Sequence, residues 1–180
     1  MTKQNVFLVG PMGSGKTTMG RQLAKALRLE FVDSDHEIEK RTGASISWIF
    51  DIEGEAGFRK REAQVIDELT ARNGIVLATG GGAVLDPQNR AHLRNRGTVV
   101  YLYANLDKLA ERTSHDTNRP LLQNTDPRAR LEALMAVREP LYREVAHITV
   151  DTGARSMRST IDNLLKQLAR LDGSGATDER

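Results

Sequence analysis

The sequence contains no cysteine and few aromatic residues. Without thiols, the chain has no disulfide, zinc–thiolate or iron–sulfur chemistry and no thiol nucleophile. Only eight of its 180 residues are aromatic, too few for the stacking platform that binds single-stranded nucleic acid. The apolar stretch near the N-terminus ends at Gly10, which is too short for a signal peptide or a membrane span. We therefore expect a cytoplasmic protein that binds neither nucleic acid nor membrane.

The length and charge of the chain set further bounds. A length of 180 residues predicts one compact domain with a real core. The net charge of +2 excludes a strongly cationic protein that coats nucleic acid. Of the 26 basic residues, 19 are arginine, whose planar fork binds carboxylates and phosphates through two hydrogen bonds. This excess reflects either a genome that favours arginine codons or a set of anion-binding sites.

Short apolar runs alternate with segments of helical periodicity along the chain. The runs at residues 6–9, 31–32, 75–78, 99–103 and 148–150 predict five buried strands. Ser45, Asp86 and Asp126 are predicted helix N-caps, and the last helix is predicted to end at Leu171. Residues 114–125 are polar and aperiodic, which predicts a mobile loop. The alternation predicts an α/β fold of three layers, α/β/α, with a five-stranded parallel sheet.

Residues 10–17 match the phosphate-binding loop pattern G-x-x-x-x-G-K-[ST], the P-loop, between a predicted strand and a predicted helix. The glycines let backbone N–H groups turn towards phosphates, and the helix N-terminus adds partial positive charge. Lys16 is predicted to reach the β- and γ-phosphates, and the Thr17 hydroxyl to ligate Mg²⁺. The alternative is a glycine-rich turn with a purely structural role.

Two acids follow the second predicted strand, at Asp33 and Asp35. The third strand ends in Thr79 and glycines and offers no acid for a metal. If Asp33 and Asp35 continue the second strand, its period of two points both carboxylates the same way. One is then available to Mg²⁺ and the other to a hydroxyl nucleophile. The alternative is a loop in which Asp35 caps a helix.

Several further features indicate a small anionic substrate. Arg59 and Glu62 are three residues apart on a predicted helix, so the carboxylate can hold the guanidinium. The glycines at 80–82 permit close approach of the backbone to a ligand. Arg138 is expected to turn inward, and Arg119 in the polar loop is expected to close over the transferred phosphate. Each of these features also has a plain structural explanation, such as a solvated arginine.

Together these motifs resemble the shikimate kinase family, over roughly residues 5–170. The matching segments follow the family's order: residues 10–18, 33–35, 54–62, 79–82, 119–122 and 138–142. The resemblance implies a P-loop fold like that of nucleoside monophosphate kinases. It implies transfer of the γ-phosphoryl group of ATP to the 3-hydroxyl of shikimate, on the route to chorismate and the aromatic amino acids. It also implies one Mg²⁺ per subunit.

The resemblance assigns roles to individual residues. The implied nucleotide-binding residues are Gly13, Ser14, Gly15, Lys16, Thr17, Thr18, Arg119 and Arg155. The implied shikimate-binding residues are Asp35, Arg59, Gly80, Gly81, Gly82 and Arg138, where the glycines lend backbone N–H groups and Phe50 and Phe58 form apolar walls. The implied Mg²⁺ ligands are Thr17 and Asp33. The implied catalytic residues are Asp35, Lys16 and Arg119, with Asp35 as general base or as the group that orients the hydroxyl. Trp48 is expected to pack beside the site.

We interpret residues 1–171 as a single P-loop kinase domain, followed by a disordered tail at 172–180. The domain is expected to carry substrate-binding helices at about 35–62 and a lid at about 113–125, and to act as a monomer on small molecules. Two alternatives stay open. One is another small P-loop kinase, acting on gluconate or a nucleoside monophosphate, and the other is an ATP-sensing module without turnover. The motifs at 33–35 and 79–82 favour shikimate.

Overall fold

The computed structural model of the chain describes residues 4–114 and 126–174. The strands within these residues are β1 (Val6–Val9), β2 (Glu30–Asp33), β3 (Ile75–Ala78), β4 (Thr98–Tyr103) and β5 (Ile148–Asp151). They form one parallel sheet in the order β2-β3-β1-β4-β5. Every residue of β1 and β3 is buried, as expected for central strands covered on both faces. The predicted fold class is confirmed.

Helices connect these strands in sequence. In the described part of the chain they are α1 (Lys16–Leu27), α2 (Ser34–Thr42), α3 (Ile46–Thr70), α4 (Pro87–Arg96), α5 (Leu106–Thr113), α6 (Pro127–Val145) and α7 (Met157–Ser174), with a 3₁₀ turn at Ala83–Leu85. The predicted N-caps Ser45, Asp86 and Asp126 each accept backbone N–H bonds. α3 is interrupted at Gly54, where φ is 71° and ψ is 177°. None of these helices is long and apolar enough to cross a membrane.

The two faces of the sheet pack against different helices. Phe7 of β1 belongs to an apolar cluster that includes Ile66 of α3. The next residue, Leu8, belongs to a second cluster with Leu23 of α1 and Leu164 of α7. Because successive side chains of a strand point to opposite faces, the two clusters lie on opposite sides of the sheet. The molecule therefore has three layers, as predicted.

The ends of two helices differ from the sequence prediction, in which helical spacing runs to Leu29 in the first helix and to Leu171 in the last. α1 ends at Leu27, because Arg28 adopts a left-handed conformation with φ of 55° that stops the helix. α7 continues to Ser174, so the predicted helix end at Leu171 was wrong. No proline interrupts the chain there, and a helix anchored by buried Leu164 and Leu168 continues through polar residues. Residues 175–180 of the predicted tail lie outside the described residues, and the domain bounds stay predictions.

Trp48 was predicted to pack beside the site, and this prediction was wrong. Its side chain is 60% exposed, and Ile52, one helical turn further along α3, is 66% exposed. Ile49 is the neighbour that turns inward, with 3% exposure. The apolar run therefore contributes a single buried residue at this point, because a helix turns adjacent side chains to different faces.

Candidate active site

A polar cleft of about 230 Å³ opens at the carboxyl ends of β1, β2 and β3. Ligands of parallel α/β sheets bind at this edge. The P-loop contributes Gly13, Gly15, Lys16, Thr17 and Thr18 to its lining. The acidic segment after β2 and the glycines after β3 form the opposite wall. The cleft thus contains part of each predicted set: five nucleotide residues, both metal ligands, and Asp35, Gly80 and Gly81 for the acceptor.

The P-loop has the backbone that its glycines predict. Gly10, Gly13 and Gly15 have φ of 150°, 80° and 91°, values that residues with a Cβ rarely adopt. The ammonium group of Lys16 donates to the carbonyl oxygens of Gly10, at 2.6 Å, and Pro11, at 2.8 Å. The lysine therefore lies folded across its own loop, with its charge at the entrance to the phosphate site.

The two predicted metal ligands are in contact. Thr17 Oγ1 donates to Asp33 Oδ2 at 3.0 Å. Hydroxyl and carboxylate oxygens are hard ligands that suit Mg²⁺, which also keeps waters and phosphate oxygens in its shell. Among the described residues, no group of three or more His, Cys, Asp or Glu side chains could hold a metal ion. The adjacent oxygens of Thr17 and Asp33 fit Mg²⁺ as two of its ligands.

The predicted geometry of Asp33 and Asp35 was wrong in one respect. β2 ends at Asp33, and Asp35 lies in the first turn of α2 rather than two residues along a strand. Asp33 Oδ1 accepts the backbone N–H groups of Asp35, at 3.0 Å, and His36, at 3.1 Å, so Asp33 is the helix cap. Both acids still line the cleft, because the helix starts directly at the end of the strand.

Arg59 and Glu62 form the ion pair that their spacing predicts. Arg59 Nη1 lies 2.8 Å from Glu62 Oε1, and Nη2 lies 3.3 Å from Glu55 Oε1. The guanidinium lies against Gly82, where an added Cβ would approach its Cζ to 2.6 Å. Only a residue without a side chain permits this approach. The guanidinium is thus clamped between helix α3 and the backbone after β3.

Arg138 turns inward from α6 as predicted and is 4% exposed. Its Nη1 lies 3.5 Å from the position that a Cβ on Gly81 would take. Burial lowers the pKa of Arg138; its interaction with Tyr142 opposes this, and the positive charge of Arg59 adds to the lowering. Two guanidinium groups that repel each other thus lie beside the cleft, an arrangement that suits an anionic group between them.

Tyr142 supports this arrangement, and the sequence analysis missed it. Its hydroxyl donates to the carbonyl oxygen of Gly81 at 2.5 Å. Burial raises its pKa to about 12, so the hydroxyl is neutral at physiological pH. Its ring stacks on that of Tyr101, with ring centres 5.2 Å apart. The available signal was the spacing of four residues from Arg138, which places both on one helix face.

One of the three glycines does not act as predicted. The N–H of Gly80 donates to the buried hydroxyl of Ser34 at 3.0 Å, so it is not offered to a ligand. The reason is that α2 starts at Ser34, which brings its side chain under the strand end. Gly81 and Gly82 lie beside the guanidiniums of Arg138 and Arg59, and their predicted N–H contacts to a ligand stay a prediction. Ser34 carried no signal of this role in the sequence.

Arg112 is a second residue that the sequence analysis missed. Its Nη1 donates to the carbonyl oxygen of Gly13 at 3.0 Å and to Thr152 Oγ1 at 3.3 Å. It thereby ties the P-loop to the segment that follows β5. Arg155 is exposed and lines a separate cleft with Arg158 and Lys166 rather than the P-loop cleft. Its predicted role at the nucleotide stays a prediction.

The two predicted phenylalanines are described by the structure, whereas Arg119 is not. Phe58 is 3% exposed, and its ring centre lies 4.9 Å from that of Phe50. The guanidinium of Arg59 lies over the Phe58 ring at 5.1 Å. Phe58 therefore packs against the guanidinium of Arg59, and Phe50 packs against Phe58. Arg119 and most of the predicted lid fall at residues 115–125, outside the described residues.

A P-loop that lines the cleft, with two arginines packed beside the glycines after β3, defines an ATP-dependent phosphotransferase for a small anionic acceptor. The shikimate kinase family model matches residues 12–169. Shikimate kinase of Halorhodospira halophila is 61% identical over 167 residues, covering 93% of this chain and 94% of that protein. The enzyme of Pasteurella multocida is 55% identical over 172 residues, covering 95% and 98%. The chain belongs to the shikimate kinase family, as its motifs predicted.

Solved structures show the same relationship. The chain is similar to Acinetobacter baumannii shikimate kinase in complex with shikimate, with a TM-score of 0.91, 53% identity and 94% of each chain covered. A gluconokinase of Sinorhizobium meliloti matches with a TM-score of 0.66 and 20% identity over 99% of each chain. At that identity the likeness shows a shared fold alone.

Proposed function

We propose that the chain transfers the γ-phosphoryl group of ATP to the 3-hydroxyl of shikimate, producing shikimate 3-phosphate and ADP. The observation that carries the proposal is the placement of a P-loop, a cleft carboxylate and two inward arginines in one site. Shikimate is an anionic polyol, so its receptor needs cations for the carboxylate and polar groups for the hydroxyls. This cleft supplies both.

The acceptor half of the cleft binds shikimate through its carboxylate in this proposal. Arg59 and Arg138 share the carboxylate, each with the planar fork that suits it. Gly81 and Gly82 let the ring approach the backbone, because no side chain intervenes. The clamp on Arg59 and the burial of Arg138 support this assignment, since both guanidiniums are held before substrate arrives.

Asp35 lies where the two halves meet, and we assign it to the reacting hydroxyl. It accepts the proton of the 3-hydroxyl as that oxygen bonds to the γ-phosphorus, or it orients the hydroxyl for the same attack. The bond from the γ-phosphorus to the bridging oxygen breaks, and ADP leaves with the electron pair. Lys16 stabilises the developing negative charge on the phosphates once it exchanges its loop carbonyls for them.

Thr17 and Asp33 would hold Mg²⁺ beside the P-loop. The ion neutralises charge on the β- and γ-phosphates when it is bound. Gly13, Ser14, Gly15 and Thr18 complete the proposed phosphate cradle. The lid at about 113–125, the roles of Arg119 and Arg155, the monomeric state and the cytoplasmic location stay predictions from the sequence.

A substrate panel tests the proposal. ADP release by the purified protein is followed in a coupled assay with shikimate, gluconate or AMP as acceptor. We expect turnover with shikimate and none above the ATPase background with the other two. Turnover with gluconate or AMP alone would contradict the proposal, and ATP binding without any turnover would favour the sensing module.

A further inference from the structure

Glu62 is a buried acid whose second oxygen is not used by the ion pair with Arg59. The side chain is 1% exposed, and Oε1 accepts from Arg59 Nη1 at 2.8 Å. Oε2 is buried and finds no hydrogen-bond partner in the part of the chain that the structure describes. A carboxylate oxygen in that position favours protonation, because the proton removes the cost of burying the charge.

Charged groups on three helices face Glu62. Arg59 lies on the same helix as Glu62 and also pairs with Glu55, Asp35 lies on α2, and Arg138 lies on α6 beside the neutral hydroxyl of Tyr142. Burial raises the pKa of Glu62 to about 7; Arg59 and Arg138 oppose the rise, and the negative charge of Asp35 adds to it. Glu62 therefore changes charge close to physiological pH.

The two acids come together beside Gly80. A Cβ on Gly80 would lie 2.7 Å from Asp35 Oδ1 and 2.9 Å from Glu62 Oε2. Both carboxylate oxygens thus lie within 2.9 Å of one point beside Gly80, and both are buried. A further negative charge close to them acts strongly on Glu62, because electrostatic interactions are strong where water is excluded.

A charge count predicts what the acceptor does to this cluster. Arg59 and Arg138 contribute two positive charges, and Asp35 and Glu62 contribute two negative charges when both are ionised. Glu55 is 51% exposed and is screened by water. An acceptor carboxylate that binds between the arginines leaves the buried cluster with one excess negative charge. One proton from solvent restores neutrality, and Oε2 of Glu62 is placed to receive it.

We propose that Glu62 holds Arg59 in the empty site and takes up a proton when the acceptor carboxylate binds to Arg59 and Arg138. Glu62 is thus a positioning residue whose negative charge is replaced by that of the substrate. The inference rests on the proposed function, because it needs an anionic acceptor at the two arginines. It makes acceptor binding dependent on pH, while ATP binding at the P-loop does not depend on this proton.

The sign of the pH dependence follows from linkage. Binding raises the affinity of Glu62 for a proton, so the proton raises the affinity of the site for the acceptor by the same factor. Below about pH 7, Glu62 is already protonated and acceptor affinity is constant. Above it, the dissociation constant of shikimate rises by up to about tenfold per pH unit. The dissociation constant stops rising at the higher pH where Glu62 also loses its proton in the complex with shikimate.

Calorimetry of the whole protein tests the proposal directly. Shikimate is titrated at pH 7.8 in two buffers of different ionisation enthalpy, and the difference in heat measures the protons taken up. We expect uptake of roughly half a proton to one proton by the wild type and by Glu55→Gln. Glu55 is the matched control because it also pairs with Arg59. Glu62→Gln should take up almost none and should lose the pH dependence of shikimate affinity.

The outcomes are distinguishable. Absence of proton uptake by the wild type, or unchanged uptake by Glu62→Gln, would overturn the inference and leave the proposed function standing. Failure of shikimate to bind the wild type would overturn the proposed function. If Glu62→Gln does not fold, carboxyl-carbon NMR of ¹³C-glutamate-labelled wild type decides, because exposed glutamates titrate near pH 4.3. In that experiment one glutamate signal should titrate near pH 7, and the addition of shikimate should raise the pKa that this signal reports.

Discussion

The two halves of the cleft are built in different ways. The proposed nucleotide half is one continuous stretch, residues 10–18, in which a glycine-rich loop leads into the N-terminus of α1, an arrangement that suits phosphates. The acceptor half is assembled from α2, α3, the glycines after β3, and α6, and it works with buried side-chain charges. A phosphate cradle can therefore be encoded locally, whereas a receptor for a hydroxy acid needs tertiary structure to balance its charges.

Asp35→Asn should separate chemistry from binding at the junction of the two halves. The amide keeps the size of the side chain but cannot accept the hydroxyl proton. We expect kcat to fall by at least ~10²-fold, the scale of a positioned base. ATP affinity, measured by titration with a fluorescent analogue, should not change, because the phosphates bind on the other side of the cleft. Unchanged turnover would remove Asp35 from the mechanism.

Arg138→Lys should damage the acceptor half alone. Lysine keeps the charge but cannot supply two parallel hydrogen bonds, so we expect the KM for shikimate to rise about ten- to a hundredfold. The KM for ATP should stay the same. Arg143→Lys is the matched control on the same helix, because that guanidinium is 54% exposed and pairs with Glu139. A rise confined to the KM for ATP would reassign Arg138 to the nucleotide.

Gly82→Ala tests the clamp on Arg59 without straining the backbone, since φ at Gly82 is −98°. The new methyl group occupies the space of the guanidinium, which can move because it ends a flexible side chain. We expect the KM for shikimate to rise about tenfold, the loss of roughly one charged hydrogen bond, with little change in Tm. Gly173→Ala, where nothing lies within 4 Å, should alter neither kinetic constant. An unaffected KM in Gly82→Ala would show that Arg59 binds from another position.

Two tyrosines give the smallest and most finely matched comparison. Tyr142→Phe removes the hydroxyl that bonds to Gly81, and we expect the KM for shikimate to rise about three- to fivefold with kcat nearly unchanged. Tyr101→Phe removes an equally buried hydroxyl for which the described residues provide no hydrogen-bond partner. That variant should keep its KM and be at least as stable in thermal unfolding. Equal effects of the two substitutions would mean that Tyr142 contributes only its ring.

The sequence predicted the fold and the backbone of the P-loop, because both depend on local patterns, whereas the roles of the nucleotide-binding residues stay predictions. Helix caps, strand runs and the P-loop are each set by a few adjacent residues. The predicted position of Asp35 was wrong, because Asp33 accepts two backbone N–H groups and so starts helix α2 where the strand was expected to continue. Two features depend instead on how α2, α3 and β3 pack together. Ser34 accepts the N–H of Gly80, and Oε2 of Glu62 is buried near Asp35.

The position of Trp48 has a practical consequence for solution studies. It is the single tryptophan of the chain and is 60% exposed on the stretch of α3 before Gly54, the helix that further along carries Arg59 and Glu62. Tryptophan emission of the unlabelled protein therefore comes from one water-facing location. Any change in its wavelength or in its quenching by iodide during a ligand titration reports on the first stretch of α3 alone, so the native chain carries its own optical label.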